Sequence, residues 1–115
     1  MKKQSFGKEE KILKKKEFSD AYNRGQRVSS ENFIVFLNPN RQGKLRLGIT
    51  VSKKVGKAVQ RNRIKRLLRE FFRLNKERLP QAQDVVIVAR KDTSSRKFEE
   101  VSRELKGLLM PEKAG

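Results

Sequence analysis

The 115-residue chain has no cysteine and no histidine. Without cysteine there is no disulfide and no thiolate, either as nucleophile or as metal ligand, which is compatible with a reducing cytoplasm. Without histidine the commonest general base and metal ligand is also missing. A catalytic centre built on this chain alone would have to use carboxylates, lysines or hydroxyls. Carboxylates are themselves scarce: 13 acidic residues stand against 30 lysines and arginines, for a formal charge of +17. No apolar run approaches the roughly 20 residues needed to cross a bilayer. The N-terminal MKKQSFGKEEK has no apolar segment behind its charges. The expected protein is soluble, unexported and cytoplasmic, and its excess of one charge calls for a polyanionic partner to relieve self-repulsion.

What is present is a set of short, clearly periodic apolar clusters, enough for one small domain. Residues 1–11 read as a flexible basic arm, 12–110 as the folded domain and 111–115 as a polar tail. ILKKKEFSDAYNRG puts Phe18, Ala21 and Tyr22 at helical spacing, with Gly25 suited to a left-handed position just past the helix end. From Val28 to Leu37 the period becomes two, with Phe33, Val35 and Leu37 on one face and Ile34 and Phe36 on the other. NPNRQG supplies a turn. KLRLGITV then alternates Leu45, Leu47, Ile49 and Val51 with Arg46, Gly48, Thr50 and Ser52, as a strand with one polar or ligand-facing side should. A helix is expected from about Ala58 to Arg78, ended by Pro80. DVVIVAR reads as a buried strand. TSSRKFEEVSRELKGLL reads as a closing helix with a serine cap, Glu99 and Glu100 in its early turns, and a stripe of Phe98, Val101, Leu105 and Leu108. The order helix, strand, strand, helix, strand, helix is that of a small α+β domain, and its strand–helix–strand unit from Leu45 to Arg90 implies a parallel pair.

The stretch 57–73, KAVQRNRIKRLLREFFR, holds seven basic residues and a single acid, Glu70. At about 100° per residue, Gln60, Ile64, Leu67, Leu68, Phe71 and Asn75 share an arc of about 80° and form the face to be buried. Arg61, Lys65, Arg69 and Arg73 form an adjoining stripe, flanked by Asn62 and Arg66. Like charges one turn apart repel by a few tenths of a kcal/mol per pair. Charged runs usually mean a solvated helix face. Solvated faces mix both signs, however, whereas this one is nearly pure and is extended by Lys53, Lys54 and Lys57. A nucleic-acid surface accounts for it better: arginine forks suit phosphate oxygens, and Asn62 can bond to bases or sugars.

The set Phe18, Tyr22 and Phe36 is a second candidate. Aromatics at such spacing are more often core than platform. The functional version is a cleft between the first helix and the sheet, floored by Phe36, Arg46 and Thr50, where unpaired bases stack. Enzyme motifs fail on spacing. GITVSKKVGK is no phosphate loop, because Gly48 lies too far from Gly56 and Lys57, and Ala58 stands where a metal-binding hydroxyl belongs. Ser5 and Lys8 pair only by chance in a polar arm. Glu9 with Glu10, and Glu99 with Glu100, do not share a helix face, and no metal ligands are expected.

The residues LRLGITVSKKVGKAVQRNRIKRLLREFFR, centred on Arg61, Asn62 and Arg63, resemble the protein subunit of bacterial ribonuclease P. The likeness runs from KKKEFSDAYNRG through DVVIVARKDTS to the last helix. It implies a fold like the second domain of ribosomal protein S5, with a left-handed βαβ crossover that ordinary handedness would oppose. It implies an endoribonuclease whose catalytic centre is in an RNA subunit, with magnesium acting through that RNA and no organic cofactor. The protein would bind the catalytic RNA and the 5′ leader of precursor tRNA, with no membrane role and no obligate protein partner. The resemblance assigns Lys53, Lys54, Lys57, Arg61, Asn62, Arg63, Lys65, Arg66 and Arg69 to RNA, and Phe18, Tyr22, Phe36 and Arg46 to the leader cleft. Tyr22 and Phe36 exchange tyrosine and phenylalanine relative to some relatives, which keeps the rings and moves the hydroxyl.

Three other readings make distinct demands. A structural RNA-binding protein of the ribosome needs no leader cleft. A basic amphipathic membrane anchor requires Ile64, Leu67 and Phe71 to be exposed. A DNA-binding helix-turn-helix requires a helix just before the basic one.

Overall fold

The computed structural model describes residues 14–41, 43–79 and 81–110. The arm expected at 1–11, Pro80 as a helix stop and the tail at 111–115 therefore lie outside the described residues. The elements are α1 (Lys15–Arg24), β1 (Gln26–Ser29), β2 (Phe33–Pro39), β3 (Arg46–Thr50), α2 (Ala58–Asn75), β4 (Gln83–Ala89) and α3 (Phe98–Leu109). They form a small α+β domain around a four-stranded mixed sheet in the order β1-β2-β4-β3. The pairs β1/β2 and β2/β4 are antiparallel, and β3/β4 is the parallel pair joined through α2.

The expected order lacked one strand. The segment read as one strand from Val28 is a hairpin: Ser30 N–H donates to Phe33 O at 2.8 Å and turns the chain between β1 and β2. Glu104 of α3 anchors this turn, accepting from Asn32 N–H at 2.9 Å, from Asn32 Nδ2 at 2.8 Å and from the Ser30 hydroxyl. Burial of Glu104 opposes its ionisation. The hydrogen bonds from Asn32 and Ser30, with the nearby Arg96 charge, outweigh that and hold its carboxyl below the usual glutamate range.

One sheet face carries Phe33, Val35, Leu47, Val85 and Ile87 into a core completed by Ile64, Leu67, Leu68, Phe71 and Phe72 of α2 and Val101, Leu105 and Leu109 of α3. α1 covers part of the other face, where Ala21 and Val86 are fully buried with Phe18, Phe36 and Val88 against them. The α2 periodicity identified its buried face apart from Phe72, which joins it, and Gln60, which is only half-buried. In α3 Leu109 is buried and Leu108 is partly exposed.

Other boundaries differ for local reasons. Gly25 is not left-handed: its φ is −76°. A Cβ there would lie 2.5 Å from Ala21 O and 3.0 Å from Leu37 O, so the glycine permits a close approach of the helix end to β2. α2 stops at Asn75 rather than Arg78. There the Asn75 side chain donates to Phe71 O at 2.8 Å and Arg78 N–H donates to Asn75 O, closing a turn. α3 has no serine cap. Its N-cap is Lys97, whose N–H donates to Glu100 Oε1 at 3.0 Å. Likewise Glu17 Oε1 accepts from Lys14 N–H at 2.6 Å and Gln60 Oε1 from Lys57 N–H at 2.7 Å. Each helix thus starts on the reaching-back half of a capping box.

Candidate nucleic-acid interface

α2 presents its basic side outward because its apolar side is consumed by the core. Ile64, Leu68, Phe71 and Phe72 are fully buried, while Asn62, Arg63, Arg66 and Arg69 are exposed and Arg61 and Lys65 half-exposed. Lys53, Lys54 and Lys57 are exposed in the loop leading into the helix. The first turn of α2 carries no acid, so the positive end of the helix dipole adds to these charges.

This surface is braced as well as charged. Arg61 Nε donates to Gly56 O at 3.1 Å, and Arg63 Nε donates to Ser94 O at 3.3 Å. Both bonds use Nε and not the terminal guanidinium nitrogens. Gln60 ties the helix start to the loop after β4, its Nε2 donating to Asp92 Oδ2 at 2.8 Å. A Cβ on Gly56 would lie 2.7 Å from Gln60 Oε1, so glycine lets the loop lie against that side chain. Sequence reasoning missed Asp92 and the bracing role of Gln60, because their contact joins residues 32 apart in the chain. Arg73, the last of the expected stripe, differs from the others: Glu70 holds it at 2.7 Å. The Arg73 bond pulls the Glu70 carboxyl below its ordinary range.

The aromatic set does come together on the opposite face of the sheet. Tyr22 meets Phe36 edge to face with ring centroids 5.0 Å apart, and Phe18 lies 6.4 Å from Tyr22. Ala21, packed against Val86, seats α1 so that these rings reach β2. The Tyr22 hydroxyl is 3.1 Å from Thr50 Oγ1, so the ring crosses from α1 to β3. Tyr22 remains 41% exposed, an aromatic platform open on one side.

Arg46 lies at this site but faces acids. Its Nε and Nη2 donate to the two oxygens of Asp84 at 2.7 and 2.8 Å, and its Nη1 donates to Glu17 Oε2 at 2.9 Å. The Asp84 hydrogen bond raises the guanidinium pKa above its already high ordinary value, against burial and with help from Glu17.

The burial of Ile64, Leu67 and Phe71 excludes the membrane-anchor reading of α2. No helix among the described residues is long and apolar enough to cross a membrane. The element before α2 is β3, so the helix-turn-helix reading fails too.

A family model for ribonuclease P matches residues 6–112. The ribonuclease P protein component of Syntrophus aciditrophicus is 48% identical over 112 residues, covering 97% of this chain and 94% of the relative. That of Desulfosudis oleivorans is 45% identical over 105 residues, covering 91% and 87%. The solved ribonuclease P protein of Thermotoga maritima superposes with a TM-score of 0.80 at 34% identity, covering 91% of this chain and 99% of that one. These matches favour a ribonuclease P component over a structural protein of the ribosome.

Proposed function

The chain belongs to the ribonuclease P protein family, the protein subunit of an endoribonuclease that works with an RNA partner, and we propose that it binds that RNA through α2 and the 5′ leader of precursor tRNA through the aromatic cleft. The observation that carries this reading is the pairing of two unlike surfaces on one sheet: a one-sign ridge seated on a buried apolar underside, and an open aromatic face behind it.

Lys53, Lys54, Lys57, Arg61, Asn62, Arg63, Lys65, Arg66 and Arg69 meet phosphates of the catalytic RNA and of the substrate near the cleavage site. Each neutralised phosphate releases counterions, which makes the affinity steeply salt-dependent. Phe18, Tyr22 and Phe36 take unpaired leader bases, since stacking tolerates any base and suits a leader of variable sequence. The protein supplies affinity and alignment, and bond cleavage stays with the RNA. Magnesium acts on the RNA in this reading. Among the described residues no three acidic side chains gather to hold a metal. The complex works in the cytoplasm and needs no further protein.

The test is reconstitution with a bacterial ribonuclease P RNA at low magnesium. The holoenzyme should remove the leader and bind leader-bearing precursor more tightly than mature tRNA. Equal affinity for the two would reject the leader cleft. Absence of leader removal would reject the assignment of this chain as the functional subunit.

A further inference from the structure

An arginine at the floor of a leader cleft invites the role of phosphate ligand, but the surroundings of Arg46 argue against it. Its side chain is 13% exposed and its fork is spread over two carboxylates, Asp84 and Glu17, whose own side chains are 5% and 25% exposed. Asp84 also accepts from Asn40 Nδ2 at 2.7 Å. One positive charge is thus already met by two carboxylates, which leaves little of it for a phosphate even inside a chain of net charge +17.

The same bonds join three elements. Arg46 on β3 stands directly opposite Asp84 on β4 in the parallel register. Glu17 belongs to α1 and immediately precedes Phe18. The other end of α1 is fixed by the close approach of Gly25 to Leu37 O. Phe18, Ala21 and Tyr22 lie between these two anchors. Loss of the first anchor would let the start of α1 swing on the second, moving Tyr22 relative to Phe36 and Thr50.

We infer that Arg46 is a positioning residue: with Glu17 and Asp84 it pins α1 to the sheet and so sets the spacing of the aromatic cleft, without itself holding leader phosphate. This rests on the leader-cleft reading above. It makes an electrostatically perverse prediction. Glu17→Gln raises the net positive charge, so simple attraction predicts tighter binding of a polyanionic leader. The positioning role predicts weaker binding.

The experiment uses the reconstituted holoenzyme and measures the affinity ratio between precursor with a leader and mature tRNA, across salt. Glu17→Gln, Arg46→Lys and Arg46→Met should each lower that ratio about fivefold. The Glu17→Gln/Arg46→Met double variant should lower it no further than the worse single, as expected for two residues sharing one interaction. Lysine fails to rescue because it keeps the charge and loses the fork. The salt slope of precursor binding should stay that of the parent in Arg46→Met. Tyr22 is the chain's one tyrosine and there is no tryptophan, so its emission in the free protein should also shift in Glu17→Gln.

A tighter Glu17→Gln complex, rescue by Arg46→Lys, or a salt slope shallower by about 0.7 in Arg46→Met would overturn the inference and make Arg46 a phosphate ligand. Should Arg46→Met fail to fold because Asp84 is left buried without its counter-charge, Glu17→Gln decides alone, since Glu17 is the partly exposed end of the cluster. Phe36→Ala separates the two levels. If it leaves the affinity ratio intact, the cleft reading itself fails. If it abolishes the ratio while Glu17→Gln leaves it unchanged, only the positioning role fails.

Discussion

Replacing Arg69 by glutamine should make the free protein more stable and the RNA complex weaker. Arg69 is exposed on α2 with Lys65 one turn behind and Arg66 three residues behind, and no acid at either helical spacing. Ahead of it, Phe72 is buried and Arg73 is already held by Glu70 at 2.7 Å. Two uncompensated like-charge pairs therefore disappear, at about 0.2–0.5 kcal/mol each, or about 0.4–1 kcal/mol in all. Arginine and glutamine have nearly equal helix propensity, so the backbone adds little to the difference. For a domain of this size the gain corresponds to a melting-temperature rise of about 2–5 °C. Calorimetric melts at about 0.01 M salt should show it. It should fade towards 1 M, where the Debye length falls to about 3 Å. In titrations with the ribonuclease P RNA, the slope of log K against log salt should become shallower by about 0.7–0.9. A lower melting temperature at low salt would mean that Arg69 has a structural partner. An unchanged slope would remove it from the RNA interface.

Two further substitutions test the scaffold. Gly25→Ala places a Cβ 2.5 Å from Ala21 O at a backbone φ of −76° that any residue accepts, so its effect is steric alone. Urea unfolding should show a loss of about 1–3 kcal/mol, and a midpoint equal to the parent's would show that α1 need not approach β2 so closely. Glu104 has a folded-state pKa below its unfolded one, so its contribution is complete at neutral pH and is lost as the pH falls below about 4.3. Glu104→Gln should be less stable at pH 7 and less sensitive to acid over that window. An acid dependence identical to the parent's would detach Glu104 from the β1–β2 turn.

What the sequence disclosed followed from local periodicity. The alternation in KLRLGITV, the β-branched run in DVVIVAR and the spacing of Ile64, Leu67, Leu68 and Phe71 each encode a face within a few residues, and the structure seats those faces against one core. The hairpin between β1 and β2 escaped because β1 carries a single apolar residue, Val28, which shares the core face with its partner Val35 and so falls out of phase along the chain with Phe33, Val35 and Leu37. Its strongest restraint, Glu104, lies 72 residues away from Asn32. The start of α2 at Ala58 was legible, whereas that of α3 escaped because its cap bond is accepted by Glu100, three residues past Lys97, and not by a serine. The carboxylates around Arg46 come from positions 29 and 38 residues distant, so only the β3/β4 register and the seating of α1 bring them together. The aromatic cleft was legible in part, as one helix turn and one strand face. Its tyrosine-to-threonine link to β3 was not.

The like charge on α2 persists because two terms of unequal size oppose each other. Five apolar side chains of this helix, Ile64, Leu67, Leu68, Phe71 and Phe72, are buried. At about 1.5–3 kcal/mol each, they contribute about 8–15 kcal/mol as an upper estimate. The uncompensated neighbours Arg61–Lys65, Arg63–Arg66, Lys65–Arg69 and Arg66–Arg69 subtract about 1–2 kcal/mol together. Burial wins several-fold, so the ridge stands without RNA. The residual repulsion is then available to favour association, because a phosphate backbone laid along the ridge relieves all four pairs at once. Free protein and complex should therefore respond to salt in opposite directions: added salt stabilises the first by screening the ridge and weakens the second by competing with it.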